Sequence, residues 1–159
     1  MSLMRDTFDY PMPSGEITGP SAWYGSELTT RHKEWIRPFS AIELNELDTA
    51  MRGIKERGVG IVDISQDDFP LPILGPALND IRQDVLRGRG FALLRGLPVD
   101  RYSTEESAII YFGLGTHMGI AIAQNMKGHV LGHVKDLGRH EFDPNSRIYQ
   151  TTARQQFHT

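Results

Sequence analysis

Apolar side chains recur every three or four residues in the stretch that follows Ser40-Ala41-Ile42-Glu43. The positions with this spacing are Leu44, Leu47, Met51 and Ile54. Such a period places these side chains on one face of an α-helix. The serine and the glutamate three residues later have the form of a capping box, and Gly58 suits a helix end. The pattern predicts a helix between Ser40 and Gly58.

Two further helices are predicted in the same way. The second has Pro76 near its first turn, ends at the glycines of "RGRG", and carries its apolar side chains at Leu74, Leu78, Ile81 and Val85. The third follows another capping box, Ser103-Thr104-Glu105-Glu106, and is predicted to reach about Phe112.

Short apolar runs between turn residues predict strands. These runs are "VGIVDI" (residues 59–64), "GFALLRG" (90–96) and "HVLGHVKD" (129–136), and "RIYQTT" and "RQQFHT" near the end could also be extended. Residues 137–147 are predicted to be a loop. The order of elements indicates an α+β fold, with an all-β part beginning toward the carboxyl end.

Residues 1–22 contain several prolines and little periodic apolar sequence, which predicts an extended arm before a domain at 23–159. Trp23, Tyr24 and Trp35 follow the arm. Large aromatic side chains in this position are expected to pin the arm onto the core rather than to bind a ligand.

Composition narrows the function. The 159 residues suffice for one domain with a core, and 20 acidic against 17 basic residues leave a net charge of −3. This balance argues against nucleic-acid binding. The sequence has no cysteine, no secretory signal and no apolar run long enough for a membrane span, so a soluble, cytoplasmic protein is expected. Acidic residues alternate with Arg82, Arg87, Arg89 and Arg95, which indicates a solvated face rather than a phosphate site.

The histidines are candidate metal ligands. His129 and His133 would lie roughly 13 Å apart on a strand, so one metal ion could not bind both. His117, in "GLGTHMG", is a candidate pocket residue because its flanking glycines let the backbone approach a ligand.

His158 has a different context. On a strand, residues i and i+2 face the same side, so a His-x-Asp pair can supply two ligands to one metal. With a second histidine this makes the facial triad that binds Fe(II) and leaves positions open for oxygen. "FHT" matches the first two-thirds of such a pair. Taken alone, a histidine in this position more often belongs to a frayed end than to a metal site.

Several segments, in order, resemble the taurine dioxygenase-like (TauD/TfdA) family of Fe(II)- and 2-oxoglutarate-dependent dioxygenases. The resemblance runs from about Gly19 to Thr159 and rests on "GPSAWYGSEL", "HKEWIRPFSAIELNELDTAM", "GRGFALLRGLP", "YFGLGTHMG", "AQNMKG", "HVKDLG" and "FHT". It implies the first strands of a double-stranded β-helix, the jelly roll of clavaminate synthase-like proteins, with helices packed outside. His158 matches the first iron ligand. The family's carboxylate ligand, second histidine and 2-oxoglutarate arginine have no counterpart here, so the chain resembles an N-terminal half that is inactive alone.

The resemblance implies Fe(II), 2-oxoglutarate, O₂ and a small-molecule substrate that is oxidised at a C–H bond. On the predicted last strand, Arg154 and Gln156 share a face with His158 and are candidate substrate contacts. Asn125 is a further candidate from the family pattern. A salt bridge for Arg154 and a turn role for Asn125 are the open alternatives. No catalytic residue is assigned.

Two other hypotheses remain open from the sequence. The chain could be a non-catalytic remnant, or a small β-rich binding module without metal. Half a barrel would leave a strand edge unpaired, which predicts self-association through that edge.

Overall fold

A computed structural model describes residues 15–16, 18–132, 134–140, 142–144 and 146–154. The elements of this α+β chain, in order, are α1 (Gly25–Leu28), α2 (His32–Trp35), β1 (Ile36–Pro38), α3 (Ala41–Arg57), α4 (Gly75–Arg87), β2 (Leu93–Arg95) and α5 (Thr104–Met118). Three single turns of 3₁₀ helix are found at Ile61–Asp63, Val99–Arg101 and Ile148–Gln150.

The predicted starts of α3 and α5 and the predicted end of α3 are confirmed. The Ser40 hydroxyl accepts a hydrogen bond from the Glu43 N–H, and the Glu43 carboxylate accepts one from the Ser40 N–H. Ser103 and Glu106 form the same capping box at the start of α5. Gly58 ends α3 with a φ of 65°, the left-handed conformation that glycine adopts without strain.

The hydrophobic core lies where α3, α4 and α5 meet, and the segment between α3 and α4 contributes to it. The largest side chains that are fully buried there are Phe69, Leu47, Ile54, Leu74, Leu78 and Ile110. Helix α5 passes beyond the predicted end at Phe112 and stops at Met118. Its continuation places Gly113 against the ring of Phe69, where an added Cβ would come within 2.5 Å of ring carbons. Gly113 therefore does not end the helix. It lets α5 pack closely against Phe69.

Strands β1 and β2 form a parallel pair in the register Ile36–Leu93, Arg37–Leu94 and Pro38–Arg95. The strand predicted within residues 90–96 is therefore confirmed. The Phe39 N–H donates to the Arg95 carbonyl at 2.9 Å, so the backbone groups of Arg95 point toward β1. Backbone groups of successive strand residues point to opposite sides, so those of Leu94 point away from β1.

The strand predicted at residues 59–64 is wrong. Ile61–Asp63 form a 3₁₀ turn, in which the Asp63 N–H donates to the Gly60 carbonyl at 2.9 Å. Ile61 and Ile64, three residues apart, both pack on the core, while Val62 is exposed. The core uses a spacing of three in this apolar run, which one helical turn supplies and a strand does not.

The strand predicted at residues 129–136 is also wrong for the described part of that range, which contains no strand. Nearby, the Lys135 and Leu137 N–H groups donate to the carbonyls of Tyr149 and Gln150, and these two bonds do not extend into a ladder. Residues 148–150 form a 3₁₀ turn rather than the extended segment considered for "RIYQTT". The loop predicted at 137–147 agrees with the residues described there.

Within the described ranges the only sheet is the β1–β2 pair, so the jelly roll stays a prediction. Residues 155–159, which include the predicted last strand, lie outside the described part. Of the helices found there, none combines the length and apolar character needed to cross a bilayer.

Candidate functional site

An apolar groove opens beside the carboxyl-terminal half of α5 and has a volume of about 960 Å³. Phe39, after β1, and Leu94, in β2, line one side. Leu114 and Met118 of α5 and Val130 from the following segment are also among its lining residues. Polar side chains in the lining are few and belong to Ser65, Gln66, Tyr111 and Thr116. The groove can therefore accept apolar side chains or an apolar molecule.

His117 does not line this groove, although its neighbours Thr116 and Met118 do. Its Nε2 atom lies 2.8 Å from the carbonyl oxygen of Phe69, within hydrogen-bond distance. A neutral imidazole with its proton on Nε2 would satisfy that carbonyl. In this arrangement His117 ties α5 to the segment before α4, and Gly75 lies close to its other ring nitrogen.

Asn125 organises a turn. Its Oδ1 atom accepts hydrogen bonds from the N–H groups of Lys127 and His129, and its Nδ2 lies 3.2 Å from the His129 Nδ1. The Gly128 N–H donates to the Asn125 carbonyl at 3.0 Å, which closes the turn. These contacts match the turn role considered as the alternative for this residue.

Arg154 is exposed, and its guanidinium makes no hydrogen bond or ion pair with the described residues. No contact in the described part joins Arg154 to His117 or Asn125. Gln156 and His158 lie outside the described residues. The three substrate candidates that the structure describes, His117, Asn125 and Arg154, are therefore not brought together.

The described residues offer no metal centre. They contain no group of three or more histidine, cysteine, aspartate or glutamate side chains placed to hold an ion. His129 is exposed beside Asn125, and His140 is exposed with its Nδ1 accepting from the Phe142 N–H at 3.3 Å. The described residues thus do not fit an iron centre.

The sequence did not predict the ion pair between Glu43 and Arg37, which links α3 to β1 close to the groove residue Phe39. Glu43, only 6% exposed, pairs with Arg37 of β1 and so links the start of α3 to the sheet. The Arg37 guanidinium and the Ser40 N–H and hydroxyl all donate to this carboxylate and lower the pKa of Glu43. The sequence predicts that Glu43 caps α3. It gives no sign that the same carboxylate also pairs with Arg37.

Tyr102 was missed as well. Its hydroxyl donates to the Asp48 Oδ1 at 2.6 Å, and burial together with this bond raises the pKa of Tyr102 to about 12. The ring packs against the core. This contact joins the segment before α5 to α3 across 54 residues of sequence, a separation at which no sequence pattern signals a pair.

Two known proteins are similar to the chain over most of its length. It is 26% identical over 144 residues to FR-33289 synthase of Streptomyces rubellomurinus, which covers 90% of this chain and 42% of that protein. It is 28% identical over 124 residues to taurine hydroxylase-like protein SAT17 of Stachybotrys chartarum, which covers 77% of this chain and 32% of that protein.

No family model matches the chain. The chain spans less than half the length of either relative. Even so, the two similarities cover 90% and 77% of this chain, which includes much of the helical unit and the sheet described above. They confirm the resemblance seen in the sequence motifs, and one of the two relatives is itself named a taurine hydroxylase-like protein.

Proposed function

We propose that the chain is part of an Fe(II)- and 2-oxoglutarate-dependent dioxygenase that oxidises a C–H bond of a small molecule. The observation that carries this proposal is the similarity to the two relatives over 90% and 77% of the chain. One relative is named a synthase and the other a taurine hydroxylase-like protein. Hydroxylation is the reaction class that the second name indicates.

The described residues would serve this enzyme as a scaffold. The three-helix core and the β1–β2 pair form one wall, and the apolar groove beside α5 would receive side chains of the catalytic part. Because the described residues hold no set of metal ligands, we derive no catalytic step from them.

The proposed contribution to the chemistry lies near Thr159. We propose His158 as an iron ligand, with Arg154 and Gln156 as substrate contacts, from the family motif and strand alternation. His117 and Asn125 are weaker candidates for substrate contact, since both side chains already bind the chain's own backbone. The coding sequence after Thr159 tests the motif directly. An aspartate or glutamate at the next position, then a distant histidine and arginine, would support the proposal, and a different residue followed by a stop codon would contradict it.

Iron binding by the 159-residue chain gives a second test. One imidazole cannot form a facial site, so calorimetry under anaerobic conditions should detect only weak Fe(II) binding. If the chain is extended to include the downstream ligands, tight one-to-one binding should appear. His158→Ala should abolish that binding, and His140→Ala, in an exposed loop, should leave it intact. Tight binding by the 159-residue chain would refute the proposed ligand set.

We also propose that the chain self-associates through β2, as the unpaired edge predicts. The backbone groups of Leu94 point away from β1 and bind no other described residue. The outer edge of β1 is blocked, because Pro38 has no N–H and the Ile36 N–H donates to the His32 carbonyl. A second copy of the chain could therefore add at β2 but not at β1.

Leu93→Lys tests this association, since Leu93 is exposed and a lysine on an edge strand opposes strand addition. The matched control is Leu86→Lys, on the exposed face of α4. Light scattering coupled to gel filtration should show a concentration-dependent dimer that Leu93→Lys shifts to monomer and Leu86→Lys does not. A chain that is monomeric at all concentrations, or two variants with the same effect, would contradict the proposal.

A further inference from the structure

Residues 18–35 lead into β1 and contribute little to the core. Within this range only Leu28 is buried, and the two helices it contains are four residues each. Isolated helices of this length are not stable alone, so contacts with the rest of the chain must hold the segment in place.

Arg89, in the turn between α4 and β2, forms two hydrogen bonds with this segment and two with Asp84. Its Nη1 donates to the Glu34 carbonyl at 2.5 Å, and its own carbonyl accepts from the Trp23 Nε1 at 2.9 Å. Its Nη2 and its backbone N–H both donate to the carboxylate of Asp84, at 2.9 and 3.1 Å. Only 16% of its side chain is exposed, so this arginine is not part of the solvated face predicted from the sequence.

Phe91 completes the attachment. Its ring lies 5.0 Å from that of Trp23 and 5.7 Å from that of Trp35, measured between centroids. The Arg89 guanidinium carbon is 5.8 Å from the same ring centre, within the range of a cation–π contact. One turn of the chain therefore binds the segment through both tryptophans and through a backbone carbonyl.

We infer that residues 18–35 form a strap that holds β1 in register beside β2, with Arg89 as its latch. The strap ends at Trp35 and β1 begins at the next residue, so displacing the strap removes the support of a strand only three residues long. Phe39 follows β1 and lines the apolar groove. Release of the strap would therefore open one wall of the groove while the three-helix core stays folded, because that core does not include strap residues.

Hydrogen–deuterium exchange on the 159-residue chain tests this inference. Arg89→Ala should accelerate exchange at the amides of Ile36, Arg37 and Phe39 by about tenfold or more, since a lost charged hydrogen bond has an effect of that order. Exchange in α3 and α5 should stay the same. Trp23→Phe, which removes one N–H donor and keeps an aromatic ring, should produce a smaller acceleration in the same segment.

Arg87→Ala is the matched control, because Arg87 is an exposed arginine in the last turn of α4. It should leave exchange at residues 36–39 unchanged. Unchanged exchange there in Arg89→Ala, or equal acceleration in the strand and in α3 and α5, would overturn the inference. The first result would mean that β1 needs no latch, and the second that Arg89 supports the whole fold.

Discussion

The three-helix unit, residues 41–118, and the segment that follows it, residues 119–154, differ in how they treat apolar side chains. The first buries them: Leu47, Ile54 and Ile110 are completely inaccessible to solvent. The second contains no buried residue among those described, and it exposes Ile120 by 93% and Phe142 by 82%. Both regions contain large apolar side chains, so their mere presence does not explain the difference.

Secondary structure separates the two regions. Each long helix of the first has a continuous apolar face that meets the other helices, and the capping boxes at Ser40 and Ser103 define where α3 and α5 begin. The described residues of the second region form one 3₁₀ turn and few backbone hydrogen bonds between distant residues. Residues 119–154 therefore have apolar side chains that could form a core. Among the described residues, no surface covers these side chains.

Replacing one isoleucine in each region should give the largest difference in stability between the two regions. Ile110→Ala removes a fully buried side chain and should lower the free energy of unfolding by about 4 kcal/mol. Ile120→Ala changes an exposed side chain and should lower it by less than about 0.5 kcal/mol. Urea unfolding followed by circular dichroism measures both. Equal losses would mean that residues 119–154 pack as tightly as the helices.

Glu43 tests the contact between the sheet and the helical unit, because it pairs with Arg37 of β1 and caps α3. Glu43→Gln leaves Arg37 without its anionic partner and weakens the capping box, so we expect a loss of about 2 kcal/mol. Glu34→Gln is the matched control, since Glu34 pairs with Arg31 on the exposed strap, and it should have a much smaller effect. A larger loss for Glu34→Gln in the same urea titration would argue against this account.

Two glycines test where the core ends along α5. In Gly113→Ala the new methyl group would meet the Phe69 ring at 2.5 Å, and we expect a net loss of about 1 kcal/mol after the gain in helix propensity. In Gly115→Ala no atom lies within 4 Å of the new Cβ, so stability should rise by up to about 1 kcal/mol. Thermal unfolding should give shifts of opposite sign. Stabilisation by both would show that Phe69 moves aside at little cost.

The pH dependence of stability should show the smallest effect. Glu106 accepts from Lys55 Nζ at 2.6 Å and from the Ser103 N–H, and these contacts lower the pKa of Glu106 from 4.5 to about 2. A carboxylate with a depressed folded-state pKa adds stability above its unfolded pKa, and this contribution is lost as the pH falls from about 5 to about 2.

Glu106→Gln and Lys55→Met should each flatten the decline in unfolding free energy over that pH range. Lys127→Met changes an exposed lysine outside the helical unit and should leave the slope as it is. A slope that Lys55→Met does not alter would mean that the salt bridge is not the source of the shifted pKa.

The sequence by itself determined the elements whose signals are local. A hydroxyl residue followed by glutamate three positions later identified the starts of α3 and α5, because a capping box is built from neighbouring residues. The same holds for Gly58 at the end of α3 and for β2 within "GFALLRG". The motif resemblance to taurine dioxygenase-like proteins was also in the sequence, and the similarities to two relatives confirm it.

Only the tertiary structure decided what depends on contacts between distant residues. The sequence pattern predicts a solvated face for Arg89, but its contacts with Glu34 and Trp23, 55 and 66 residues away, leave it mostly buried. "VGIVDI" became a 3₁₀ turn because the core offered places for Ile61 and Ile64 on one side. Residues 129–136 formed no described strand, since a strand needs a neighbouring strand to bond with, and local sequence cannot supply one.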